Sequence, residues 1–589
     1  MPHPDRYYSD MVSGSLSAYL KNDRILAINL LDIGEYRKAN SDRLREGKDG
    51  SSLLRCCHAL FSLVEGLLSG SSDTMTQTIV EFWEAEKLAN DSVDKEWIGN
   101  RLSRALSYMF GGLLQVFTHS YVKAGVNLTI GFKLARDLEK DVLDYTGPEP
   151  RVIRSLGLLL LGLMNMFSII LPASISTVGD YLGFGVSKEK YYKYTSQCDE
   201  ENGDFAMMSN LIFIYFLVNS KNFLFDQITP DELRKCRKLI DSCLLVAPHS
   251  VIVHVMHASV CLGEGRPDLA VATLNLAEIS QVLERPEWAT MSLATYFKLG
   301  NSHLCNLDFK SARSAYQQAA IAVEQAGRWA YIPFMRTMEG LCFLAATSGE
   351  GPSSSTNVAT AVEIFAPTFV SRDLSKNPIV LPGDRWGARV GFEQTVRLTT
   401  SSEDELAKYV ASAEGIVDAL FAMATCLYSF EKIEKGKLKL LIAELKIRQK
   451  HKRSLKFDTL LGEYHRLVGE TDKAVEAFDD AVEVIDGKIR KGESEDPDSI
   501  LGFSLVFQGA ALCAANDPGT AKDVLVDLDE VLANAKHSKG GGILKTVWAS
   551  PVLANALTPG NIVNLKGGEL ELILSFRRNG LKRRIDESK

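Results

Sequence analysis

Two stretches of this 589-residue chain carry the same residue classes at the same intervals. Gly300 is followed by Ala312, Tyr316 and Ala319 at spacings of twelve, sixteen and nineteen, and Gly462 is followed by Ala474, Phe478 and Ala481 at those same spacings. Such a pattern calls for two antiparallel helices: the small residues let them cross closely, and the aromatic ring fills the gap beside the crossing. A pair of this kind cannot hide its apolar face alone, so neighbours must stack on it and the chain grows as an array. Weaker copies run through Ala258, Ala270, Leu274 and Ala277, and through Gly509, Ala521, Leu525 and Leu528, with leucine where the ring stood. A more degenerate copy joins Gly66, Thr78, Phe82 and Ala85.

These intervals are a tetratricopeptide-repeat signature. The fold expected is all-α: a tetratricopeptide-repeat-like right-handed helical solenoid with an irregular N-terminal half. Along the chain this divides into an N-terminal helical region with a degenerate repeat (1–155), apolar helices with repeats (156–348), an insertion or loop rich in Gly, Pro, Ser and Thr (349–404), C-terminal repeats (405–545) and a C-terminal segment with a basic tail (546–589). A polar loop is expected from Gly487 to Ser499. Arrays of this class hold other proteins on a concave surface and seldom do chemistry.

Composition agrees with a folded protein, at 46% hydrophobic and 24% charged residues. The formal charge of −8 supplies no positive field for nucleic acid, and none is expected as a partner. Ten cysteines are scattered without a CxxC pair, so neither a zinc site nor a disulfide framework is suggested. The start, Met-Pro-His-Pro-Asp-Arg, has neither a basic cluster nor an apolar run, and no secretory signal is expected from it.

Beyond the repeats, Phe117-Thr-His-Ser-Tyr-Val-Lys-Ala-Gly125 is followed by Gly131-Phe-Lys-Leu-Ala-Arg136, and then by Gly162-Leu-Met-Asn-Met-Phe-Ser-Ile-Ile-Leu-Pro172 and Leu182-Gly-Phe-Gly185. With Gly327-Arg-Trp-Ala-Tyr-Ile-Pro-Phe334 and Lys376-Asn-Pro-Ile-Val-Leu-Pro382, these stretches resemble the tetratricopeptide repeat protein 39 family, which includes the fungal inclusion-body clearance proteins. The resemblance implies a non-enzymatic, all-helical adaptor acting in inclusion-body clearance or lipid homeostasis, with no catalytic residue, metal or cofactor. It places the chain in the cytoplasm, with the lipid droplet, the mitochondrial surface or the nucleus as alternatives.

Offsets from the small crossing residue put Phe297, Asn301 and Leu304 of one unit, and Lys456, Thr459, Glu463 and Arg466 of another, on the concave side, where proteins or peptides would bind. Phe297 beside Asn301 breaks the lysine–asparagine pattern that clamps acidic carboxyl termini. Two features offer a rival reading as a peripheral membrane or lipid-droplet protein. The uncharged run 155–179 contains the apolar helix 156–171, shorter than the about 20 apolar residues of a spanning helix and read first as buried. The basic helix 435–457 sets Leu438, Leu441, Ile442 and Leu445 on one face and is read first as an ordinary array helix. The tail Arg577-Arg578 and Lys582-Arg583-Arg584 has the pattern of a nuclear import address but is read as solvated. His249, His254, His257 and Cys261 cluster without the acid of an HExxH motif, and are read as helix side chains, not metal ligands.

Overall fold

A computed structural model describes residues 7–537 apart from 171–187, 221–227, 326–331, 349–354, 369–385, 491–499 and scattered shorter breaks, together with Arg578, Leu581, Lys582 and Ile585. Among the described residues every regular element is a helix. They run α1 (Tyr7–Leu20), α2 (Arg24–Asn29), α3 (Ile33–Ala39), α4 (Ser41–Arg45), α5 (Ser51–Ser69), α6 (Ser72–Asp91), α7 (Ile98–Phe117), α8 (Tyr121–Leu143) and α9 (Pro150–Ile170). The middle holds α10 (Lys188–Glu200), α11 (Ala206–Tyr215), α12 (Pro230–Val246), α13 (Val251–Gly263), α14 (Pro267–Leu274), α15 (Ala277–Leu283), α16 (Ala289–Cys305), α17 (Phe309–Gln325), α18 (Ile332–Thr347) and α19 (Ser355–Phe365). Last come α20 (Glu403–Ala411), α21 (Glu414–Thr425), α22 (Lys435–Arg448), α23 (Leu455–Leu467), α24 (Thr471–Arg490), α25 (Ile500–Ala514) and α26 (Pro518–His537).

Local chemistry sets where these helices begin and end. Thr229 caps α12, its hydroxyl accepting from the Glu232 amide while the Glu232 carboxylate accepts from the Thr229 amide, with Pro230 in the first turn. Four helix pairs share one reversal. The amides of Arg266, Asp308, Glu470 and Asp517 each reach back to the carbonyl five residues earlier, on Cys261, His303, His465 and Leu512, at 2.9–3.0 Å. In the first three the preceding residue, Gly265, Leu307 or Gly469, has a positive φ and falls seven residues after the small crossing residue Ala258, Gly300 or Gly462. This is the left-handed closure that stops a helix and turns the chain back in about three residues. The same closure follows α1, where Asn22 has φ 63° and the Asp23 amide bonds to the Ala18 carbonyl at 2.9 Å.

The expected wedges sit at the crossings. A Cβ added to Gly300 would lie 2.9 Å from the Tyr316 ring, and one added to Gly462 would lie 2.5 Å from the Phe478 ring, so only glycine allows either ring to close on its partner helix. Ala312, Tyr316, Ala319, Ala474, Phe478 and Ala481 are all fully buried. Most helices pack on the one before or the one after, and a second set of contacts joins helices further apart in the chain: α5 to α7, α7 to α9, α9 to α11, α11 to α13 and, across α14 and α15, α13 to α16. Further on α18 meets α21, α21 meets α23 and α23 meets α25. The Phe297 and Phe334 rings, 6.1 Å apart, bridge α16 and α18.

Several sequence expectations need correction. The stretch 349–404 is not simply a loop: α19 lies inside it and supplies Phe365, whose ring closes on Gly340 as Phe478 does on Gly462, at 2.5 Å from a Cβ added there. The interval is 25 residues, stretched by Gly-Glu-Gly-Pro-Ser-Ser, and the Thr and Val of α19 read as non-helical although Ala361, Ile364 and Phe365 are buried at helical spacing. Helix α24 runs to Arg490, into the loop expected from Gly487. Ala277 is exposed, because α14 stops at Leu274 and the chain restarts as α15. The boundary at 155 falls within α9, of which Leu156, Leu158, Leu159, Leu160, Leu161 and Leu163 are all buried. No described helix is long and apolar enough to cross a membrane.

The tail, too, is packed where it is described. Leu581 and Ile585 are buried at 0% and 1% exposure, and Leu581, not Leu525, stands over Gly509, with 2.5 Å to a Cβ added there. Arg578 donates through Nε and Nη2 to the two Asp529 carboxylate oxygens, both at 2.7 Å. The tail thus covers a flank of the α25–α26 pair. Leu581→Ala is expected to cost about 2–5 kcal/mol, the range for a buried leucine. Chemical denaturation monitored by hydrogen exchange in α25 and α26 checks it.

Candidate interaction surfaces

The residues expected on the concave side occupy two places, and their polar atoms are turned on neighbours inside the fold. On α16, half-buried Phe297 packs on Phe334 and Tyr316, and Asn301, 6% exposed, accepts a 2.8 Å hydrogen bond from the Tyr316 hydroxyl. Asn301 therefore holds the wedge in place. Leu304 is fully buried. On α23, Glu463 and Arg466 form a two-pronged pair at 2.6 Å for each prong, one turn apart, with side chains only 7% and 10% exposed. Thr459 shares a 2.8 Å bond with Ser504 of α25.

Lys456 leads to a feature that spacing alone did not reveal. Its ammonium lies 2.7 Å from Asp418 Oδ1 and 5.6 Å from the centre of the Phe421 ring. Asp418, on α21, also accepts from Gln394 Nε2 at 2.9 Å, Tyr409 Oη at 3.3 Å and Arg397 Nη1 at 3.4 Å, with its side chain 3% exposed. Burial alone would raise this carboxyl, but Lys456 and Arg397 outweigh it and hold the group below the usual range. One carboxylate thereby ties the 394–397 stretch, α20, α21 and α23 together.

The histidine cluster is spent in the same way. Arg237 Nη1 donates to His257 Nε2 at 2.8 Å, while His257 Nδ1 meets Thr273 Oγ1 at 3.2 Å, and Arg237 Nη2 reaches Cys261 Sγ at 3.4 Å. A guanidinium on the ring nitrogen leaves no lone pair for a metal, and no group of three or more His, Cys, Asp or Glu among the described residues could hold one. Burial, then Arg237 and His254, pull His257 down to about 4. Its folded pKa lies below the ordinary His value of about 6.5, so its contribution is complete above that pH and lost as pH falls toward about 4. His257→Gln should flatten that acid limb of the stability profile, read from thermal melts at pH 4 to 7. Burial also pushes the Cys57, Cys198 and Cys243 thiols up to about 12, so none of these is a thiolate near neutrality.

Helix α22 departs from its expected two-sided form. Leu438, Ile442 and Leu445 are buried as expected, but Leu440 and Ile447, two turns apart, stand 75% and 65% exposed on the opposite side. Around them Lys435, Lys437, Lys439, Lys446 and Lys450 are exposed. No protein-family model matches the chain, and no curated protein matches it.

Proposed function

We propose that this chain is a non-enzymatic scaffold that binds partner proteins or peptides on the inner side of a tetratricopeptide-repeat-like, right-handed solenoid, as the resemblance to the tetratricopeptide repeat protein 39 family implies. The observation that carries the reading is the second set of contacts, which joins α5, α7, α9, α11, α13 and α16 in one row and α18, α21, α23 and α25 in another. A row of helices in mutual contact is the inner wall of a helix-pair array, and curvature makes that wall concave. The recurring turn and the glycine–aromatic crossings support one repeating unit.

Cross-linking mass spectrometry on partners captured by the full chain tests this. Cross-links are expected beside part-exposed positions of the row helices, Arg336 and Thr347 on α18 and Leu461 and Leu467 on α23; cross-links confined to α17, α19, α24 and α26 would contradict it.

A second reading, peripheral contact with an anionic lipid surface, is favoured by the exposed Leu440 and Ile447 among the lysines of α22. Two shallow aliphatic anchors with about 1 kcal/mol from each nearby lysine suffice for reversible attachment. Co-sedimentation with phosphatidylserine vesicles should be lost in Leu440→Asp with Ile447→Asp, whose sites are exposed and leave the fold intact. Equal sedimentation of the variant would remove this reading.

A further inference from the structure

Helix α1 packs on α5, α9 and α13, three helices scattered over more than 200 residues, and all three belong to the row of alternate helices. That row also meets itself, because α16 packs on α5. A row whose first and sixth members touch is curled round, and a helix touching the first, third and fifth members lies within the curl. We propose that the hairpin α1–α2 is an intramolecular ligand. It occupies the concave face made by α5, α9, α11, α13 and α16 and closes that face to helical ligands from outside. The proposal rests on the array reading above and sharpens it.

The contact has the makeup of a docked helix. Val12, Leu16 and Tyr19, spaced by four and three, form one apolar stripe, each under 8% exposed. Tyr19 is stacked on Phe61 of α5 at 4.5 Å and lies 5.6 Å from Trp288, which precedes α16. Polar hooks fix both ends. Ser13 Oγ donates to Asp204, just before α11, at 2.7 Å. Asn22 donates to the His249 carbonyl at 2.6 Å and accepts from the Val251 amide at 3.1 Å, while its own carbonyl accepts from Trp288 Nε1 at 3.1 Å and Arg285 Nη1 at 3.3 Å.

Ser250 occupies the N-cap position of α13, the place where serine serves best, yet its side chain makes no capping bond. Its hydroxyl is buried without a partner, and Asn22 accepts from the Val251 amide at the start of the first turn. The ligand this face fits is therefore a short helix with a Val/Leu/Tyr stripe ending in an asparagine turn.

The test titrates a fluorescent peptide of residues 7–31 into two full-length chains, the wild type and Leu16→Asp with Tyr19→Asp, followed by anisotropy. The variant should bind at least about tenfold more tightly, because the wild-type face is open only in the fraction of molecules whose own hairpin has left. Equal affinity, or no binding by a variant whose α5 and α13 amides stay protected, would overturn the proposal while leaving the inner row untouched. If the variant does not fold, hydrogen exchange of the wild type decides. Faster exchange in α1 than in α5 and α13 supports a docked ligand, and one common rate for all three overturns it.

Discussion

Phe478→Ala is expected to cost about 3–5 kcal/mol, the range for truncating a large buried ring, and to unfold α23 and α24 ahead of the rest of the chain. The ring is fully buried, closes on Gly462 and lies 6.2 Å from Phe507 of the next pair, so its loss opens a cavity at a junction of three helices. Gly462→Leu alone should also destabilise, since any Cβ there meets the ring at 2.5 Å. Combined, the two changes should recover part of the loss, because the new side chain enters the space the ring has left. A coupling of about 0.5–3 kcal/mol in the double-mutant cycle, measured by denaturant titration, is the expected result. Strict additivity would mean that the glycine and the ring do not face each other.

Asp418→Ala should cost about as much, roughly 3–5 kcal/mol, for a different reason. It removes the shared acceptor of Gln394, Tyr409, Arg397 and Lys456, and leaves the 15%-exposed Lys456 ammonium without its acid. Asp418→Leu with Lys456→Met should lie well above either single change in stability, because an apolar pair of similar volume carries no unpaired charge. The sign of the pH effect follows from the lowered carboxyl. Its folded pKa lies below the unfolded value of about 3.9, so the stabilisation is present at neutral pH and is lost as pH falls through the folded pKa. The acid limb of the unfolding curve should shallow below pH 4 in the double variant.

Gly300 and Gly462 could be read from the sequence because a close crossing leaves little chemical freedom: one residue must lack a side chain and another must fill the gap. The turn at Leu307 was less legible, since leucine gives no hint of a positive φ that the helix pair imposes on it. Phe365 was hidden by an interval lengthened with Gly, Pro and Ser, and Leu581 by a separation of 72 residues from Gly509. The candidate surface was harder still. Offsets place a side chain on a face, but Asn301 and Lys456 meet partners on other helices that no local spacing encodes, while Glu463 and Arg466, one turn apart, are taken up by each other. Asp418 is one of two acids in the apolar α21, and its role depends on residues up to 38 positions away.

In the arrangement proposed for the hairpin, the helices from α5 to α16 curl until the row encloses α1. Exposed Lys21 and His249 flank the bond from Asn22 to the His249 carbonyl, 227 positions apart in the chain. Lys21→Cys with His249→Cys, treated with a short bis-maleimide and read by peptide mass spectrometry, should yield an intramolecular link as efficiently as a same-helix control, Asp231→Cys with Arg234→Cys. A linked control beside an unlinked 21–249 pair would contradict the enclosure.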